Sequence, residues 1–316
     1  MIKLCSVMRW GCIVLFIGFW GTATFSRAAD GAPAQDLEKI AKMTANPIGA
    51  AWMLWSQNDY TWYEGDAFSG TETFNSYKFQ PVMPFPLTLG GEDWNLLLRP
   101  VFQYQSVPLD KDVSELVGVA PDVIQADEDL AAIASTAFDD RTTGIGDTAL
   151  LALLGPNRLD GAVWGVGVTQ IFPTAAEDVL GQEKWQAGPA VLWANLAPNP
   201  GGFNVGFLAQ HWWSYAGEDD RPDTSLTDIQ YFINYRYNKT VLIGMTPNIR
   251  YNWEADDSDD RLTFPVGMGI SNVVKVGKLP VRLAAEVQYS VISPDNIGSE
   301  WNFRVLLIPV IPNPFR

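Results

Sequence analysis

The sequence predicts an all-β fold: a transmembrane antiparallel β-barrel of about 12 strands with a short N-terminal helix. Three observations carry this. The first is alternation with period two, sustained over long stretches. In 227–238, Ile229, Tyr231, Ile233, Tyr235 and Tyr237 are large and apolar, and Asp228, Gln230, Phe232, Asn234 and Arg236 lie between them. The pattern returns in 241–254 and again in 281–292, where Val281, Leu283, Ala285, Val287, Tyr289 and Val291 alternate with Arg282, Ala284, Glu286, Gln288 and Ser290. Such alternation is a strand signal, because successive strand side chains point to opposite faces. The second observation is length. Ordinary strands run about 5–6 residues, and crossing a bilayer at a tilt takes about 9–11. The third is that Arg, Glu, Asn and Gln occupy mid-strand positions on the second face, which suits a water-filled lumen with lipid outside.

Taken in order, residues 1–29 read as a secretory signal peptide: Lys3 and Arg9, an apolar run from Trp10 to Phe25, then Ser26-Arg27-Ala28-Ala29 with cleavage after Ala28 or Ala29. Cys5 and Cys12, the only cysteines, lie in it. Disulfide scaffolds and cysteine metal sites are thereby excluded from the exported chain. Its removal leaves 18 basic against 36 acidic residues, a net charge of −18. That balance carries no nucleic-acid footprint.

Residues 30–47 form an N-terminal periplasmic or plug segment. Within 35–46, Leu37, Ile40 and Ala41 share one side of a short helix ended by Asn46-Pro47. The barrel itself is assigned to 48–316. Its twelve strands are expected at 48–57, 73–87, 94–106, 145–155, 163–173, 184–196, 203–215, 227–238, 241–254, 262–275, 281–292 and 300–311.

The connections give an independent reason. Even strands are followed by short turns such as Leu89-Gly90-Gly91-Glu92, Gly155-Pro156-Asn157-Arg158 and Asn238-Lys239-Thr240. Odd strands are followed by longer, acidic connections, of which Asp110–Thr143 is the longest. A barrel with both termini in the periplasm has this asymmetry. Aromatic residues Trp94, Trp212, Trp213, Tyr215, Trp253 and Trp301 fall near strand ends and are expected to form the girdle at the membrane interfaces.

From about Gly144 onward the chain resembles a bacterial outer-membrane transporter family, the barrel proteins of MetA-pathway phenol degradation. Some members of that family carry the label neuromedin U. Gly144-Ile145-Gly146-Asp147, Gly188-Pro189, Asn234-Tyr235, Pro265-Val266-Gly267-Met268-Gly269 and Trp301-Asn302-Phe303-Arg304 carry the resemblance. It implies an outer-membrane barrel with a role in small-molecule uptake, and an aromatic or hydrophobic solute.

Parity places Arg99, Arg236, Arg250, Arg282, Glu286 and Arg304 on the wet face, where they are expected to line the lumen and set its selectivity. Strands eleven and twelve set Glu286 opposite Arg304, and opposed charges should pair. His211 and Ser214, three apart in a strand, point to opposite faces, so a hydrolase dyad is not expected. The run Asp256-Asp257-Ser258-Asp259-Asp260 lacks the spacing of a calcium loop and reads as a solvated loop.

The reading is therefore a passive outer-membrane channel, not an enzyme, with no cofactor or metal. Its expected partners are the bilayer and lipopolysaccharide, the barrel-assembly machinery and small solutes. A surface barrel that adheres without transporting is the alternative, and an outer-membrane lipid hydrolase a more distant one.

Overall fold

The barrel closes because its first strand hydrogen-bonds to its last. The computed structural model describes residues 32–46, 48–49, 51–65, 70–111, 113, 137–138, 140–158 and 160–315. Helix α1 (Ala32–Ala45) precedes β1 (Trp52–Glu64), β2 (Glu72–Leu89), β3 (Glu92–Val107), β4 (Thr142–Ile145), β5 (Thr148–Pro156), β6 (Gly161–Phe172) and β7 (Lys184–Leu196). Then come β8 (Phe203–Gly217), β9 (Ser225–Arg236), β10 (Val241–Met245), β11 (Asn248–Asn252), β12 (Leu262–Val276), β13 (Leu279–Ile292) and β14 (Gly298–Ile311). Neighbours in space are neighbours in sequence, all antiparallel, and β1 pairs with β14 from Trp52↔Ile311 to Glu64↔Gly298.

Fourteen segments make twelve staves, since β4 and β5 both pair with β3, and β10 and β11 both lie between β9 and β12. The interruptions fall at Gly146-Asp147 and Thr246-Pro247. Pro247 has no N–H to give the ladder, so its stave breaks there. The unbroken staves run from 12 residues in β6 to 18 in β2, well beyond sandwich length. Each of the twelve expected strands is found. The first is displaced: it begins at Trp52 and continues to Glu64 because Gln57, Asp59 and Thr61 keep the lumenal parity that Met53 and Trp55 begin. Residues 59–64, expected in the connection between the first two strands, are therefore strand.

Two ends differ. At one, hairpins turn tightly, as at Gly90 and Gly91 with φ of 60° and 83°, values that two-residue hairpins require and glycine supplies without strain. The other end carries the longer connections. Most of the long one after β3, with Asp127-Glu128-Asp129, lies outside the described residues, as does the expected signal segment.

Burial is inverted relative to a water-soluble fold. Val166, Val168, Met268, Ile270, Val287 and Leu307 stand exposed on the outer wall, while Gln57, Asp228, Arg236, Glu286 and Arg304 are buried inside. An apolar exterior around a polar interior suits hydrocarbon outside and ordered side chains within. No helix among the described residues is long and apolar enough to cross a membrane.

Inside, toward the turn end, an apolar cluster forms from Ile48, Met53, Val82, Leu97, Leu151, Leu153, Ala190, Leu192, Leu208, Leu306 and Ile308. Helix α1 packs against that end, with Glu38 beside Arg236 and Lys239. Thr44, Asn46 and Ile48 are buried; Arg282 Nη1 donates to Thr44 O at 2.9 Å, Asn95 Nδ2 donates to Ile48 O at 2.8 Å, and Asn46 Nδ2 donates to Arg158 O. The segment thus docks against the barrel through residues 44–48. Near the other terminus, Phe315 packs against Phe85 and Trp52, with ring centroids 5.2 and 6.0 Å apart.

Candidate functional site

The lumen has three storeys. At the loop end a vestibule of about 650 Å³ is walled by Tyr63, Phe74 and Phe138 with Gln103, Gln105 and Gln186. Asp147, Asp223 and Glu254 line it too, and no Lys or Arg does among the described residues. Below it lies a polar chamber of about 250 Å³ holding Asp59, Lys78, Arg250, Arg304, Gln288 and Asn302. Tyr63, Phe74 and Ile297 border both spaces. Toward the turn end is a smaller, mainly apolar cavity of about 90 Å³, whose floor is Thr44 and Ala45 of the plug.

The vestibule's rim is fixed by one carboxylate. Asp147 sits in the gap between β4 and β5, and its Oδ1 accepts from Thr174 N at 3.0 Å and Ala175 N at 3.1 Å, while Oδ2 accepts from Gln182 N at 2.8 Å. Gly181 lies so close that an added Cβ would stand 2.8 Å from Asp147 Oδ1. The strand break thus aims a buried acceptor at the backbone of the connection between β6 and β7.

All six expected lumenal charges face inward, but they do not form one constriction. Arg304 and Asp59 pair in the chamber at 2.7 Å, and Arg304 Nη1 donates to Thr246 O at 2.8 Å. Arg250 Nε lies 3.2 Å from Asp228 Oδ2. Arg236, near the turn end, donates to Ala197 O at 3.1 Å and lies 3.8 Å from Glu38 of the plug. Arg99 and Arg282 border the apolar cavity.

The expected ion pair between Glu286 and Arg304 does not form, although the register sets them directly opposite. Glu286 accepts instead from Thr246 N at 2.8 Å and Thr246 Oγ1 at 2.7 Å, the groups that the break before Pro247 frees. Arg304 turns to Asp59 across the closing seam. Asp59 lies beyond the first expected strand, 48–57; its alternation with Gln57 and Thr61, with β1 laid beside β14, is the signal that finds it.

The aromatic set divides. Trp94 is outside at the turn end, edge-on to Trp164 at 5.7 Å. Trp213, Tyr215, Trp253 and Trp301 are exposed on the outer wall at the loop end. Trp212 is not in a girdle: it is buried, facing inward, and its indole donates to Thr169 Oγ1 at 3.0 Å. Strand parity requires it, since Trp212 and Trp213 are adjacent. His211 sits outside, its Nδ1 2.7 Å from Thr227 Oγ1, whereas Ser214 bonds Asp223 at 3.0 Å.

No family model matches this sequence, and no curated protein matches it. The membership in the phenol-pathway family that the motifs suggest thus remains a resemblance. Fold comparison decides the architecture. The chain is similar to an outer-membrane channel of the COG4313 group from Pseudomonas putida F1, with a TM-score of 0.57, 13% identity, and 83% of this chain and 94% of that one covered. This chain shares that channel's barrel fold. More distant matches include the β domain of the Bordetella autotransporter BrkA (TM-score 0.42, 10% identity, covering 83% and 100%) and the P. putida toluene transporter TodX (0.35, 8%, covering 83% and 90%).

Proposed function

We propose that this protein is a Gram-negative outer-membrane β-barrel channel for passive entry of small hydrophobic or aromatic molecules. The observation that carries the reading is the sequence of spaces inside a barrel whose exterior is apolar: an aromatic and amide-lined vestibule, a polar chamber, and an apolar cavity above the plug. A solute losing water on the way in meets aromatic faces first and aliphatic walls last. The solute's own gradient would drive it. The apolar exterior supports residence in a bilayer, and its neighbours there would be lipopolysaccharide and the barrel-assembly machinery. Export would use residues 1–29.

The test is reconstitution of the refolded barrel, with folding checked by heat-modifiable gel migration. Ionic current in planar bilayers and entry of a small aromatic solute into proteoliposomes are the expected results. A folded barrel that stays impermeable to both, even after the N-terminal segment is removed, overturns the reading.

A further inference from the structure

We infer that the apolar cavity at the turn end is a binding site for an amphipathic monocarboxylate, held by Arg99 and Arg282. Both residues border this cavity, and no carboxylate lines it among the described residues. Much of the rest of the wall is apolar, at Met53, Val82, Leu97, Leu153, Leu208 and Phe232, with Asn204, Gln230, Asn234 and Thr246 among its polar members. Arg99 Nε and Arg282 Nε are buried and find no hydrogen-bond partner among the described residues. Arg282 spends Nη1 on Thr44 O, and its Nε remains unused.

Two cations beside an apolar space, with donors unspent, are costly unless an anion completes them. The carboxylates that act on them from farther away are already committed. Asp228, which acts on Arg99, is held by Arg250 and Asn248; Glu286, which acts on Arg282, is held by Thr246 and Gln288. A ligand must therefore bring its own charge. It must also bring an apolar body, because most of the remaining wall is aliphatic or aromatic. Charge-assisted bonds from guanidinium to carboxylate supply the orientation, and burial against the aliphatic wall supplies the rest. A water needs about 10–15 Å³ of such space, so the cavity's volume admits a ligand of about six to nine non-hydrogen atoms.

This site deepens the channel reading by naming a solute class, and rests on it for the ligand's route in. Its binding test does not depend on transport. Titration calorimetry of the refolded barrel compares hexanoate with hexanol, and benzoate with benzyl alcohol. The acids should bind about tenfold or more tightly than the matched alcohols, and Arg99→Gln should abolish that preference. Arg99→Lys, which keeps the charge, should retain most of it. Equal binding of acid and alcohol, or a preference that survives both Arg99→Gln and Arg282→Gln in folded barrels, overturns the site. A barrel that binds the acids yet stays impermeable to ions and to the aromatic solute, even without its N-terminal segment, leaves the site standing and removes the channel; one that is permeable without preferring acids does the reverse.

Discussion

Arg304 Nε lies 2.7 Å from Asp59 Oδ1, and the two residues face each other across the seam where the last strand meets the first. Both are buried, and Asp59 also has Lys78 Nζ at 3.8 Å. An attraction set in a desolvated wall is costly to break from one side, because the other charge stays behind unpaired. Asp59→Asn should therefore cost about 3 kcal/mol of unfolding free energy, and Arg304→Gln a similar amount. Exchanging the two, Asp59→Arg with Arg304→Asp, should recover part of the loss, as coupled neighbours do. Urea unfolding of the refolded barrel measures all three. If Asp59→Asn shifts stability by less than about 0.5 kcal/mol, the seam is held by its backbone ladder alone.

Trp212 and Trp213 make the inside and the outside of the wall separable by spectroscopy. Trp213 is exposed on the outer face; Trp212 is buried and hydrogen-bonded to Thr169. In bilayers containing brominated lipid, Trp213→Phe should lower the fraction of tryptophan emission that the bromine quenches, and Trp212→Phe should raise it. Truncation to alanine should cost about 3–5 kcal/mol at Trp212, where a cavity and an orphaned hydroxyl result, and nearer 1 kcal/mol at Trp213. Equal quenching changes in the two Phe variants would contradict the assigned strand parity.

Which side chains enter the lumen was legible in the sequence, because period two decides it locally. Arg99, Arg236, Arg250, Arg282, Glu286 and Arg304 are all inside for that reason. Which of them meet was not legible. Asp59 and Arg304 are 245 residues apart, and only closure of the barrel brings them together. Glu286 found its partner at a break in β10–β11 that alternation alone does not mark, although Pro247 could have signalled it. Trp212 sits near a strand end, as a girdle residue would, but its parity turns it inward. The helix of the plug was visible as a periodic run, but its docking depends on Ile48 meeting glycines of two strands more than a hundred residues later.

Asp147 should govern the connection that follows β6. Its two oxygens accept from three backbone amides, of Thr174, Ala175 and Gln182. Asp147→Ala leaves those donors unpaired at the rim, and a loss of about 1–3 kcal/mol is expected. The more telling result is local: brief protease treatment should newly cut within 173–183 while the band shift on heating persists. A variant as resistant there as the parent would show that Leu180 and its neighbours hold the segment without the carboxylate.

The plug offers a way to test closure of the turn end by adding atoms instead of deleting a segment. Glu38 reaches Lys239 at 3.3 Å and Arg236 at 3.8 Å; Lys239 is 60% exposed, and a pair of that kind contributes about 0–1 kcal/mol. Ile48 should hold more, since burying an isoleucine fully is worth about 1.5–3 kcal/mol. Its Cδ1 fits over Gly155 and Gly165, where a methyl group would stand 2.9 and 2.5 Å away. Gly165→Ala should therefore press on Ile48 and loosen the helix, moving the closed-to-open ratio by about tenfold for each 1.4 kcal/mol lost. Bilayer recordings should show longer or more frequent openings in Gly165→Ala than in the parent. Ile48→Ala in the same chain relieves the clash yet forfeits the burial, so the double variant should be at least as open as Gly165→Ala. A barrel equally silent in the parent and all of these variants, yet opened by deleting residues 30–48, would place the seal in the helix body around Glu38 and not at Ile48.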